Sequence, residues 1–159
     1  MNLFEAIQRA TEALAPFERL KQSKDPQILV VDDEEVHRTI ICKVAARAGF
    51  VSVEAKDCGE VVRGTLLHDF HCATLDLSLG EREGTEVLLH FSICGFRAPI
   101  IILSGADIEV ATKAFNLGKS LNLNMADPIA KPVDLGLLRE RLTAVAEAWR
   151  AERAEATAA

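Results

Sequence analysis

Apolar residues fall into two alternating patterns along this 159-residue chain. The first is the short uninterrupted run. Ile28-Leu29-Val30-Val31, Cys72-Ala73-Thr74-Leu75 and Pro99-Ile100-Ile101-Ile102-Leu103 stop abruptly at Asp32-Asp33, Asp76 and Ser104. A run with no polar alternation is a strand covered on both faces, as in a parallel sheet. The second pattern is a three-to-four spacing, which predicts helices over 34–48, 59–67, 84–94, 107–121 and 134–153. Val51 to Ala55 alternates as a strand, and Met125 to Ala130 is a weaker one. Five β/α units predict a doubly wound α/β fold, a five-stranded parallel sheet with helices on both faces and right-handed crossovers.

Ahead of the first strand, Leu3, Phe4, Ile7, Ala10, Leu14, Phe17 and Leu20 draw one apolar stripe, so residues 1–25 are predicted to form an amphipathic helix. Ser23-Lys24-Asp25-Pro26 breaks it. Residues 26–153 then form the domain, with an extended last helix, and 154–159 are expected to fray. Gly49 and Asn122 are the expected left-handed helix stops. The N-terminal stripe needs cover, either from the domain or from a second copy of the chain.

Composition narrows the function classes. With 18 basic against 24 acidic residues the formal charge is −6, and there is no basic block for nucleic acid. No stretch has the length of a membrane span, and the N-terminus lacks the features of a secretory signal, so a cytoplasmic location is expected. Cys42, Cys58, Cys72 and Cys94 are scattered without a C-x-x-C pair and read as small apolar residues. His37, His68, His71 and His90 show no ligand spacing and receive no role.

In an open α/β sheet the loops after the strands converge on one edge, which gathers Asp32, Asp33, Asp76, Ser104 and Lys131 despite their separation in sequence. Carboxylates crowded there repel by about 4 kcal/mol per pair near 4 Å at an effective dielectric of 20. A cation offsets this. Lys131 supplies one charge, and Mg²⁺ suits carboxylates, waters and a phosphoryl oxygen. The competing reading is that the acids cap a helix, Ser104 is a turn residue and Lys131 is solvated.

These motifs resemble a known family. Leu29-Val30-Val31-Asp32-Asp33-Glu34, Leu75-Asp76-Leu77-Ser78 with Gly84, Ile102-Leu103-Ser104-Gly105-Ala106 and Ala130-Lys131-Pro132 are similar, in order and position, to the receiver domain of bacterial two-component response regulators, over roughly residues 27–150. The resemblance, to the stand-alone CheY-like kind, implies a flavodoxin-like sheet of strand order 2-1-3-4-5. It implies that Asp76 accepts a phosphoryl group from a histidine kinase or histidine phosphotransfer protein. Asp32, Asp33, Asp76 and the carbonyl of Ser78 would hold Mg²⁺. Lys131 would pair first with Asp76 and then with a phosphoryl oxygen, Ser104 would bind another, and the Lys131–Pro132 bond would be cis. The output would pass by contact with a downstream protein, since the chain would act as a phosphoacceptor rather than as an enzyme on other substrates.

The chain departs from the family in a segment between Ser104 and Lys131 several residues longer than usual, and at two motif positions. Leu79-Gly80 stands where many receivers have Met-Pro, and Pro128 stands three residues before the lysine, where an aromatic ring usually signals the switch. Two rivals follow. A small phosphatase would carry an acid two residues after its nucleophile, where this chain has Ser78. A pseudo-receiver would keep the fold as a binding module independent of phosphorylation.

Overall fold

The computed structural model describes residues 2, 4, 5, 8, 9, 23–79, 81–105 and 107–159. Five parallel strands, β1 (Gln27–Val31), β2 (Val51–Ala55), β3 (Cys72–Asp76), β4 (Ile100–Ser104) and β5 (Ile129–Ala130), form one sheet of order β2-β1-β3-β4-β5. Between and after them lie α1 (Glu35–Arg47), α2 (Cys58–Leu67), α3 (Glu81–Ile93), α4 (Ile108–Ser120) and α5 (Leu135–Ala158). The expected doubly wound, flavodoxin-like architecture is therefore present.

Every residue of β1, β3 and β4 is buried. Successive side chains along a strand point to opposite faces. Leu29, Val31, Leu75, Ile100 and Ile102 accordingly join Val61, Val87, Leu88 and Phe91 in one core. Ile28, Val30, Ile101 and Leu103 face Ile41, Val44, Leu138 and Leu142 in the other. Each such aliphatic side chain, removed wholly from water, contributes about 1.5–3 kcal/mol. These two cores fix the central strands, and with them the sheet edge that their last residues share.

Local chemistry sets the helix starts. Asp57, Asp107 and Asp134 cap α2, α4 and α5 by accepting backbone N–H groups in their first turns. Asn122 (φ 59°) and Gly49 (φ 93°) adopt the expected left-handed geometry after their helices. Three boundaries differ from expectation. The helix predicted from 84 begins at Glu81, after a 3₁₀ turn over Leu77–Leu79. The fifth strand is only Ile129–Ala130, with Met125 bridging singly to Ile100, because Pro128 has no ladder donor. The last helix runs to Ala158 instead of fraying from 154, and its alanine, glutamate and arginine content favours helix although every residue from Ala151 is exposed.

The predicted N-terminal helix of residues 1–25 falls mostly outside the described residues, as do Gly80 and Ala106. Phe4–Glu5 and Gln8–Arg9 are helical, and Asn2 and Glu5 hydrogen-bond reciprocally in a capping arrangement. No helix among the described residues is long and apolar enough to cross a membrane.

Candidate functional site

Asp76 ends β3 with its side chain fully buried, and Lys131 Nζ donates to its Oδ2. Its other oxygen, Oδ1, accepts the backbone N–H of Ser78 at 2.8 Å, since the 3₁₀ turn after β3 folds that amide back. Asp32, one residue past β1, is also fully buried. Its Oδ1 accepts the N–H of Glu34 at 2.8 Å. Ser104, the last residue of β4, is buried, and its carbonyl accepts the Lys131 N–H at 2.6 Å. The Lys131–Pro132 bond is cis.

The strand ends thus bring Asp32, Asp76, Ser104, Ser78 and Lys131 together. Asp33 differs: its side chain is exposed, and it does not join the group whose ligand atoms converge. That group, all within 4.8 Å of one another, is Asp32, His37 and Asp76. His37, to which the sequence reading gave no role, is therefore part of the pocket wall. Its Nδ1 lies 3.7 Å from Asp32 Oδ2 and 3.3 Å from Glu34 Oε2. A signal was present in the spacing, because a residue three after Glu34 on a starting helix shares its face.

Two buried carboxylates, both ionised, would offer each other only acceptors. Asp32 Oδ2 has no hydrogen-bond partner. Burial first, and then the Asp76 carboxylate beside it, push the Asp32 carboxyl up to about 7. Burial also acts to raise Asp76, but the Asp32 side chain beside it and hydrogen bonds from Lys131 and Ser78 outweigh this and hold Asp76 below the ordinary carboxylate range. The helix-cap alternative fails at Glu34, which occupies the N-cap position of α1 without a side-chain cap. Arg38 instead braces this corner, with Nη1 on the Asp32 carbonyl at 2.9 Å and Nε on Glu54 Oε1 at 3.2 Å. A cavity of about 320 Å³ opens beside Asp32, His37 and Lys131, with Ile40 and Ile41 also in its lining.

Residues 28–143 match the response regulator receiver domain family. The chain belongs to that family. It is 29% identical over 121 residues to the Regulator of RpoS of Escherichia coli, covering 74% of this chain and 34% of the relative. It is 31% identical over 118 residues to Response regulator RR06 of Streptococcus pneumoniae, covering 74% and 52%. The chain thus spans between a third and about half of the length of these curated relatives. Among solved structures, a CheY-like receiver domain protein from Methanospirillum hungatei superposes with a TM-score of 0.67 at 23% identity, covering 81% of this chain and 99% of the other. A Burkholderia pseudomallei response regulator with a phosphorylated aspartic acid, calcium ion and citrate superposes at 0.63 with 26% identity, covering 82% and 74%. Receiver domains of two-component systems are signalling modules, phosphorylated by histidine kinases or phosphotransfer proteins, that bind Mg²⁺ at an acidic pocket.

Proposed function

We propose that Asp76 of this chain is the phosphoryl acceptor. The observation that carries the reading is the ion pair of Lys131 with a fully buried Asp76, beside a second buried acid, Asp32. An Asp76 oxygen attacks the phosphorus of a phosphohistidine in a kinase or phosphotransfer protein. The O–P bond forms as the P–N bond breaks, and the electron pair leaves with the histidine nitrogen. Asp76 suits this task because its lowered pKa keeps it ionised. Lys131 then neutralises one phosphoryl oxygen, and the Ser104 hydroxyl donates to another. This moves the end of β4 and passes the signal to a downstream protein by contact.

The donor set fits a hard divalent cation. Asp32 Oδ2 is a buried oxygen without a partner, next to a second carboxylate, and such a site takes up positive charge. Asp32, Asp33, Asp76 and the Ser78 carbonyl would hold Mg²⁺. Bound there, the ion supplies charge neutralisation for the transferring phosphoryl group. The phosphorylated aspartic acid and calcium ion of the Burkholderia pseudomallei regulator support this reading.

Incubation with acetyl phosphate, with and without Mg²⁺, followed by intact-mass measurement tests it. One Mg²⁺-dependent phosphoryl adduct, lost in Asp76→Asn, is expected. Absence of an adduct under every condition, the cognate kinase included, favours the pseudo-receiver, a reading that draws its support from Pro128 at the start of the shortened β5.

A further inference from the structure

We propose that His37 makes the acidic pocket a site for borderline divalent transition ions of the Co²⁺ class, with an imidazole nitrogen joining oxygens of Asp32 and Asp76. This rests on the acidic pocket being a cation site, and it does not require phosphoryl transfer.

The first support is geometric. Ligand atoms around an ion with bonds near 2.1 Å stand about 3 Å apart at adjacent positions and about 4 Å apart at opposite ones. One ligand atom each from Asp32, His37 and Asp76 already fits within 4.8 Å, and His37 Nδ1 is 3.7 Å from Asp32 Oδ2. Modest contraction around an ion would complete the set.

The second support is that the oxygen nearest the imidazole is the one left over. Asp32 uses Oδ1 on the Glu34 amide, while Oδ2 is buried, faces His37 and has no hydrogen-bond partner. Asp76 Oδ1 accepts the Ser78 amide, and a carboxylate oxygen has a second lone pair to offer an ion. Asp32 and His37 are also held in fixed relation, because Arg38, the next residue of α1, is fastened to the Asp32 carbonyl and to Glu54. A ligand pair held in place before the ion arrives loses little freedom when it binds. Glu34 Oε2, 3.3 Å from the same imidazole nitrogen, adds negative charge on the solvent side. His37 is 42% exposed, so an ion entering from solvent meets the ring before the buried acids.

The third support is chemical. A pocket of oxygen donors alone selects hard ions, whereas imidazole suits the later first-row metals. Carboxylates bind Co²⁺ more tightly than Mg²⁺ even without help, so affinity for Co²⁺ alone decides nothing. The discriminating quantity is how differently the two ions respond to loss of the ring.

Isothermal titration of the full chain with MgCl₂ and with CoCl₂, in wild type and in His37→Ala and His37→Gln, measures that difference, with circular dichroism checking the fold of each variant. Co²⁺ affinity is expected to fall by about tenfold or more in both variants, and Mg²⁺ affinity to change by no more than about threefold. Proton NMR of the Co²⁺ complex is expected to show a paramagnetically shifted, solvent-exchangeable imidazole N–H in wild type that is absent from His37→Gln. Equal loss for both ions, or unchanged Co²⁺ binding, overturns the proposal. The Mg²⁺-dependent adduct on Asp76, measured in wild type and in His37→Gln, separates the two claims. Its presence alongside undiminished Co²⁺ binding removes the histidine ligand and leaves the receiver reading. Its absence from wild type, with Co²⁺ binding still dependent on His37, does the reverse.

Discussion

Lys131 Nζ reaches Asp76 Oδ2 across 55 positions of sequence and ties the end of β5 to the end of β3. Asp76 is fully buried, and Lys131 keeps 20% of its side chain exposed. Removing the cation leaves two buried acids with nothing to offset them, whereas removing the acid relieves the crowding. Lys131→Met is therefore expected to lower the stability of the metal-free protein at pH 8 by about 2–3 kcal/mol, less than a fully buried pair would lose. Asp76→Asn should cost less than about 1 kcal/mol. Urea denaturation of both variants is the measurement, and equal costs would show that the ion pair does not govern this edge of the sheet.

Asp32 gives the pocket a pH dependence. Its folded-state carboxyl lies near 7 against 3.8 for the free group, so the folded chain holds a proton that the unfolded chain releases. The resulting stability is complete below about pH 4, and it is lost as pH rises through 7. Asp76, held low, runs the other way, and its contribution is lost as pH falls below the carboxylate range. Between pH 5 and 8 the metal-free wild type should lose about 1–3 kcal/mol relative to Asp32→Asn. Added Mg²⁺ should recover stability chiefly at pH 8, and only in the wild type. Parallel pH profiles for the two proteins would count against a shared proton in the pocket.

The central sheet was legible because β1, β3 and β4 are buried on both faces, and such strands leave uninterrupted apolar runs. The ends of those runs meet at one sheet edge, with Asp76 the last residue of β3, Ser104 the last of β4 and Asp32 one residue past β1. For His37 the sequence shows nearness to the pocket, but not that the ring joins its wall. Its place in the pocket depends on how α1 leaves the sheet, which Arg38 fixes through a backbone carbonyl and a β2 acid, and neither contact has a sequence pattern. Asp33 is exposed where its neighbour Asp32 is buried, a difference in surroundings that the Asp-Asp pair does not itself encode. Pro128 marks the fifth strand as an edge in sequence, but how far it shortens the strand shows only in the structure, where the ladder is confined to Ile129–Ala130 and Met125 bridges singly.

Gly118 on α4 is required by packing. A methyl group there would meet the Met125 side chain, with Cγ at 2.7 Å and Cε at 3.0 Å. Met125 is itself buried and bridges to Ile100, so its side chain has little room to retreat. Gly118→Ala should destabilise the protein by about 1–3 kcal/mol despite the better helix propensity of alanine. Shortening the opposing side chain in Gly118→Ala/Met125→Ala should make the combined loss smaller than the sum of the two single losses. Thermal denaturation measures all three variants, and simple additivity would place the strain elsewhere.

The opposite end of the sheet carries a second, independent titration. His71 Nδ1 accepts the Gln27 N–H at 3.0 Å, while its own backbone N–H donates to the Gln27 carbonyl at 2.8 Å. The acceptor nitrogen must be unprotonated, and burial first, with Arg153 assisting against Asp69, holds the ring below the usual histidine range. A base whose folded pKa is lowered contributes stability above its unfolded value near 6.5, and loses it as pH falls below that value. His71→Asn keeps an acceptor without the titration, so at pH 5 it should be about 1 kcal/mol more stable relative to wild type than at pH 7.5. Trp149, the sole tryptophan, reports the event directly, since its ring centroid lies 4.9 Å from that of His71 and the Arg153 guanidinium covers it at 4.7 Å. Its emission should fall in the wild type on acidification, as the charged imidazolium quenches the indole, and stay level in His71→Asn. The loss tracks proton uptake at the base of β1, where Arg153 also holds the Ser23 carbonyl at 3.0 Å. Identical emission curves in the two proteins would mean that Gln27 keeps His71 neutral throughout the folded range.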